Sequence, residues 1–170
     1  MRPKPAPDHL RILAWLLGMP GQESLLAIVD LAQTYPWLQE ATEQLRMISL
    51  ANWQAEHTRL FISGYPKTVC PPFESAYRHG RMDGPARTEL EHLYRQVGLV
   101  PIEAPADYLG TLLECAAYLS DQTPTHQTVM STLWEEHLQI WLPRFCRDLI
   151  QHSRLTLYRA LGEQVAKVIQ

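Results

Sequence analysis

Apolar residues recur along this chain at the three-and-four spacing of an amphipathic helix, and no stretch alternates as a half-buried strand does. Leu10, Leu13, Ala14 and Leu17 share one stripe behind Asp8, which can cap a first helix, while Gly18 and Pro20 supply its stop. A second helix is expected from about Gln22 to Gln33 on Leu25, Ile28, Val29 and Ala32. Pro36 opens a longer one through Leu38, Ala41, Leu45, Ile48, Ala51 and Ala55 to Leu60 and Phe61, with a bend near Asn52. The period then vanishes from Ser63 to Phe73. Ser75 to His79 can hold only a turn or two, and Pro85 to Val97 carries Leu90, Leu93, Tyr94 and Val97 on one face, ended by Gly98. An extended link, Leu99 to Ala104, precedes the clearest stripe: Leu109, Leu112, Leu113, Ala116 and Leu119. Pro105 is read as the start of that helix and Asp107 as part of its first turn, where the helix dipole favours a carboxylate by about 0.3–1 kcal/mol. Thr123-Pro124 opens a helix to about Leu138, Pro143 begins another, and Ser153 to Ile169 closes the chain on Tyr158, Leu161, Val165 and Val168. The expectation is an all-α, single-domain helical bundle over residues 1–170.

Within this scaffold one stretch stands apart, Cys70-Pro71-Pro72-Phe73-Glu74-Ser75-Ala76-Tyr77. Adjacent prolines fix two φ angles and hold Cys70 and Pro71 extended, so helix cannot resume before Phe73. Phe73, Glu74, Ser75 and Tyr77 thus project from a backbone that loses little entropy on binding, which suits recognition. The alternative is that Glu74 or Ser75 starts the next short helix and Phe73 fills the core.

Composition narrows the classes of function. With 46% hydrophobic and 19% charged residues the chain is not disordered, and 170 residues suffice to bury one core. A net charge of -3 and a pI near 6.1 give no reason to expect nucleic acid or an anionic membrane, and favour partners with basic segments. Cys70, Cys115 and Cys146 form no C-x-x-C pair, as expected of a reduced cytoplasmic protein. Arg2 and Lys4 precede an apolar run in the order of a secretory signal, but Asp8, His9 and Arg11 interrupt it and no small-residue cleavage site follows. No stretch reaches the roughly 20 apolar residues that span a bilayer, so no membrane insertion is expected.

Candidate chemistry changes the picture little. Of seven histidines only His92 forms a helical E-x-x-H pair, with Glu89, and carboxylate-bridged metal bundles need two such pairs. Neither a metal nor another cofactor is therefore expected, and Glu89, His92 and Glu135-Glu136-His137 read as solvated helix faces. There is no G-x-S-x-G and no phosphate-binding glycine loop. Glu74 and Asp107, if brought together, could divide acid and base roles, or hold negative charge for a cation on a partner; the absent nucleophile favours recognition. Most of the five tryptophans should be core, with Trp141 a candidate for lining a groove.

Three motifs in order, Glu56-His57-Thr58-Arg59-Leu60-Phe61, Pro71-Pro72-Phe73-Glu74-Ser75 and Pro105-Ala106-Asp107-Tyr108, resemble the motif set of the TorD/DmsD/NarJ family of all-helical chaperones for molybdenum-containing redox enzymes. Trp141-Leu142-Pro143-Arg144-Phe145 and Tyr158 continue the resemblance. Tyr108 stands where the TorD and DmsD branches carry histidine, and His57 where tyrosine is frequent. The resemblance implies a TorD-like bundle and a cytoplasmic, client-specific chaperone, not an enzyme. Such a protein binds the N-terminal signal or leader peptide of a molybdoenzyme catalytic subunit and assists cofactor insertion and assembly before export. The residue-by-residue match places Pro72, Phe73, Glu74, Ser75, Tyr77, Asp107 and Tyr108 in the peptide-binding site. Glu74 and Asp107 would form an acidic rim, and Phe73, Tyr77 and Tyr108, with Leu60 and Phe61, the walls of an apolar groove. The alternative from another class is a small metal-dependent hydrolase using Glu74, Asp107 and a histidine.

Two further expectations follow from this reading. Glu74→Gln and Asp107→Asn should weaken client binding and leave thermal stability nearly unchanged. The connections Gly80 to Gly84 and Leu99 to Ala104 could act as hinges, so the chain should be mainly monomeric with a domain-swapped dimer as a minor form.

Overall fold

A computed structural model describes residues 5–122 and 124–170, and among them it contains helices, turns and a single isolated β-bridge. The all-α expectation holds. Helix α1 spans Pro7–Leu16, α2 Ser24–Thr34, a 3-10 turn Pro36–Leu38, α3 Gln39–Leu45 and α4 Leu50–Phe61. They are followed by α5 at Glu74–His79, α6 at Pro85–Arg95, α7 at Leu109–Asp121 and α8 at Gln127–Thr132. A π-helical segment, Leu133–Leu138, leads into α9 at Gln139–His152, and α10 runs over Thr156–Ile169. Among the described residues no helix is long and apolar enough to cross a membrane.

The apolar stripes read for α1, α6, α7 and α10 lie on the buried faces, whereas in α4 Ala51 and Ala55 are exposed and the buried face is Trp53, Glu56, His57, Leu60 and Phe61. Leu10 and Leu13 of α1 meet α7, whose Leu109, Leu112, Leu113, Ala116 and Leu119 are all fully buried. Helix α10 lies along α9, and Gly162 permits that approach: a Cβ there would sit 2.9 Å from Ile150 Cγ1 and 3.3 Å from the Cys146 carbonyl. Buried side chains from α1 to α10 join in one continuous apolar cluster. Trp141, Phe145 and Tyr158 are among them, so Trp141 is core and does not line a groove.

Several boundaries differ from expectation, each for a local reason. Ala6 caps α1 with Pro7 in the first position, and Asp8 sits inside the first turn, paired with Arg11 at 3.3 Å. The long helix expected from Pro36 is broken at 46–49, where Ser49 turns extended and its Oγ accepts the Asn52 N–H at 3.1 Å, starting α4 anew. Pro143 does not open a helix but lies inside α9. Its ring falls in the first turn and a half of α9, directly after the π-helical segment, and its missing N–H leaves the Gln139 carbonyl without the usual i→i−4 donor. Of the Thr123-Pro124 start, Thr123 lies outside the described residues, and α8 begins at Gln127.

A buried carboxylate node beside two surface grooves

The doubled proline performs as its covalent structure requires. Phe73 is extended at φ -134°, ψ 131° and forms an antiparallel bridge with Tyr108. Leu109 N–H donates to the Pro72 carbonyl at 2.8 Å, Glu74 N–H donates to the Asp107 carbonyl at 3.0 Å, and the Phe73 and Tyr108 rings lie 5.5 Å apart. Two motifs more than thirty residues apart in sequence are thereby clamped together. Asp107 does not enter the first turn of α7, which starts at Leu109. Instead its Oδ2 accepts the Ser75 N–H at 3.1 Å, so Asp107 caps α5, a helix from elsewhere in the chain.

Glu74 and Asp107 are brought together as expected, but they face inward. Glu74 and Ser75 are 0% exposed and Asp107 is 2% exposed, so the two carboxylates form no solvent-facing rim. The cause is the bridge, which fixes Phe73 at the edge and turns the next side chains toward the core. Glu74 Oε1 accepts from Arg78 Nη1 at 2.6 Å, one helical turn on, and Arg78 reaches out to Glu89 at 3.7 Å. His137 Nδ1 donates to both Glu74 oxygens, at 3.0 and 3.1 Å. His137 is 4% exposed, which overturns its reading as part of a solvated face. It lies in the π-helical segment, four residues after buried Leu133 and seven after buried Met130. Nothing in the sequence signals that partnership. Pro72 is buried, as are Leu60 and Phe61, which are scaffold.

The first motif forms a second internal node. Glu56, buried in α4, accepts from Arg59 Nε at 2.6 Å and from the Arg154 backbone N–H at 2.5 Å, while Arg59 Nη2 donates to the His152 carbonyl at 2.7 Å. One side chain thus ties α4 to the connection between α9 and α10. His57 Nε2 donates to the Leu17 carbonyl at 2.8 Å, and its ring meets Phe61 edge-on. Burial pushes the His57 pKa below its ordinary value of 6.5, against a smaller opposite effect of the Leu17 bond. The unfolded chain therefore takes up this proton first, and stability present above about pH 6.5 declines as pH falls below it. Melting temperature is expected to drop between pH 7 and pH 5, with a shallower slope in His57→Gln; parallel slopes in the two proteins would remove His57 as a cause.

What the buried nodes hold in place is surface. Half-buried Tyr108 opens on a groove of about 490 Å³ between α1, the 99–104 link and the start of α7, lined also by Trp15, Pro101, Ile102, Gly110 and Thr111. Ile102 is 92% and Trp15 45% exposed, and Glu103 and Glu114, both exposed, stand at its margin. Trp15 also lines a smaller pocket of about 280 Å³ with Met19, Pro20 and Trp53, so apolar surface continues along the end of α1. Half-buried Tyr77 belongs to a separate cleft, with its hydroxyl donating to Asp148 Oδ2 at 3.1 Å. Among the described residues no three histidine, cysteine, aspartate or glutamate side chains converge as metal ligands would. Glu74, Asp107 and His137 do lie close, but the carboxylate of Glu74 already carries the Arg78 guanidinium.

Comparison with known proteins places this geometry. The chain is 27% identical over 135 residues to the chaperone protein YcdY of Escherichia coli, covering 78% of this chain and 70% of that protein. It is 32% identical over 116 residues to the Tat proofreading chaperone DmsD of Salmonella typhi, covering 65% of this chain and about half of the relative's length, 53%. The fold matches that of a protein from Archaeoglobus fulgidus described as a redox enzyme maturation protein, with a TM-score of 0.71 at 22% identity over 98% of this chain and 95% of the other. The two curated relatives are both named as chaperones. The model of the nitrate reductase delta subunit family matches residues 29–147, a span that contains Glu56 and Arg59, the Phe73–Tyr108 bridge and His137, and the chain belongs to that family.

Proposed function

We propose that this protein is a cytoplasmic, client-specific chaperone that holds the N-terminal leader of a molybdenum-containing oxidoreductase subunit while cofactor insertion and assembly proceed. The observation that carries the reading is the apolar groove ending on Tyr108, flanked by Glu103 and Glu114. A leader that joins arginines to an apolar helical stretch needs apolar walls and negative charge at one margin, the helix-in-groove mode of recognition. Trp15, Ile102 and Tyr108 supply the walls. The family motifs act one step behind: Phe73 backs the Tyr108 ring, and Pro72, Glu74, Ser75 and Asp107 fix the backbone from which Tyr108 projects.

The test uses calorimetric titration with a synthetic leader peptide of two consecutive arginines followed by an apolar segment. The wild-type chain should bind it, and Glu103→Lys with Glu114→Lys should weaken binding at least about tenfold, equivalent to roughly 1.4 kcal/mol. Both glutamates are exposed, so the melting temperature should hardly change. Undiminished binding in the double variant would remove the groove assignment. Failure of wild type to bind leaders from any molybdenum oxidoreductase of the same cell would remove the function.

A further inference from the structure

A cleft separate from the leader groove carries the opposite charge. It has a volume of about 490 Å³ and is bordered by Lys67, Arg81 and Arg144, with Val69, Tyr77 and Met82 between them. The three cations come from three distant parts of the chain: the loop before Phe73, the turn between α5 and α6, and the exposed side of α9. Their convergence runs against a net charge of -3. Lys67 and Arg81 are exposed and make no ion pair among the described residues. Arg144 is held in place: Nη2 donates to the Tyr77 carbonyl at 2.6 Å, and the guanidinium lies 5.8 Å from the centre of the Tyr77 ring. Its remaining N–H groups are free to meet a ligand with little loss of side-chain entropy.

We infer that this cleft docks an acidic peptide segment of a partner protein, with Lys67, Arg81 and Arg144 pairing its carboxylates and Val69 and Met82 covering the intervening apolar side chains. Two observations favour a peptide over a phosphate ligand. Asp148 stands in the cleft wall, accepting from Tyr77, and repels a compact dianion more than dispersed single charges. The apolar flank, with Met82 half exposed, offers a peptide a contact that a phosphate does not use. The cleft shares no lining residue with the Tyr108 groove, so the two can be filled independently.

The experiment titrates the full chain by calorimetry with an acidic peptide of glutamates interspersed with leucines, and with the same peptide carrying glutamine for glutamate. The acidic peptide should bind at least tenfold more tightly than its glutamine counterpart, weaken with added salt, and lose at least tenfold in Lys67→Glu/Arg81→Glu. Both positions are exposed, and an unchanged circular dichroism spectrum and melting temperature verify the variant's fold. The arginine leader peptide should not compete, and Glu103→Lys/Glu114→Lys should retain the acidic peptide even if leader binding proves absent. Equal affinity for the two peptides, or undiminished binding in the Lys67/Arg81 variant, overturns the assignment. Displacement of the acidic peptide by equimolar pyrophosphate would also overturn it, by making the cleft a phosphate site.

Discussion

Alanine at position 74 is expected to cost the protein about 3–5 kcal/mol, the usual result of removing one partner from a buried ion pair. For a chain of this size that corresponds to a fall in melting temperature of roughly 6–20 °C. The loss arises because Glu74 is fully buried and satisfies both Arg78 and His137; without it His137 retains a buried donor and Arg78 a cation with Glu89 as its remaining partner at 3.7 Å. Glu74→Gln keeps the shape but not the charge, and should still cost roughly 1.5–3 kcal/mol, the worth of a hydrogen bond to a charged group. That reverses the expectation of near-neutrality drawn from sequence. Urea denaturation of Glu74→Ala, His137→Ala and the double variant measures the pair: the two losses should fall short of additive by about 0.5–3 kcal/mol. A Glu74→Ala protein melting within a degree or two of wild type would mean the node contributes nothing to stability.

The second large effect is expected at Glu56. Glu56→Ala leaves the Arg154 N–H without its acceptor and Arg59 without its carboxylate, a loss of roughly 3 kcal/mol from two charge-assisted bonds. Arg59 can still donate to the His152 carbonyl and reach solvent, which caps the damage below that of Glu74→Ala. The distinguishing readout is local. Amide exchange at Arg154 and Thr156 should accelerate more than exchange in the α1 and α7 core, because the Glu56 carboxylate is what holds the Arg154 N–H to α4. Thr156 N–H retains its bond to Gln44 Oε1 at 2.7 Å, so its protection should fall less than that of Arg154. Uniform acceleration across the chain would instead mean a global loss with no special role for this junction.

Neither expectation was drawn from the sequence: in α4 the stripe was placed on Ala51 and Ala55, which are exposed, while the buried face carries Trp53, Glu56, His57 and Leu60. Helical period sorts residues into faces only as long as the turn stays at 3.6 residues. It therefore located the stripes of α1, α6, α7 and α10, whose leucines are buried where the spacing puts them. His137 stands four residues after Leu133 and seven after Met130, on the buried face by spacing, and only the polar run Glu135-Glu136-His137 makes it read as surface. Pro143, a helix breaker by itself, nevertheless lies inside α9, close behind the π-helical segment.

The sequence by itself determined a helical chain with a stiff, non-helical stretch at Pro71-Pro72, since φ restriction and apolar spacing are local properties that need no partner. The ordered motifs also carried the family. Only the tertiary structure decided what those motifs do. Asp107 sits near the start of α7 in sequence, yet its carboxylate caps α5, because an antiparallel bridge between Phe73 and Tyr108 pairs backbones that no local rule brings together. The same pairing turned Glu74 and Asp107 inward and left charge at the groove margin to Glu103 and Glu114, two residues in no recognisable pattern. Burial is a property of the whole fold, and a carboxylate reads identically in sequence whether it faces water or an arginine in the core.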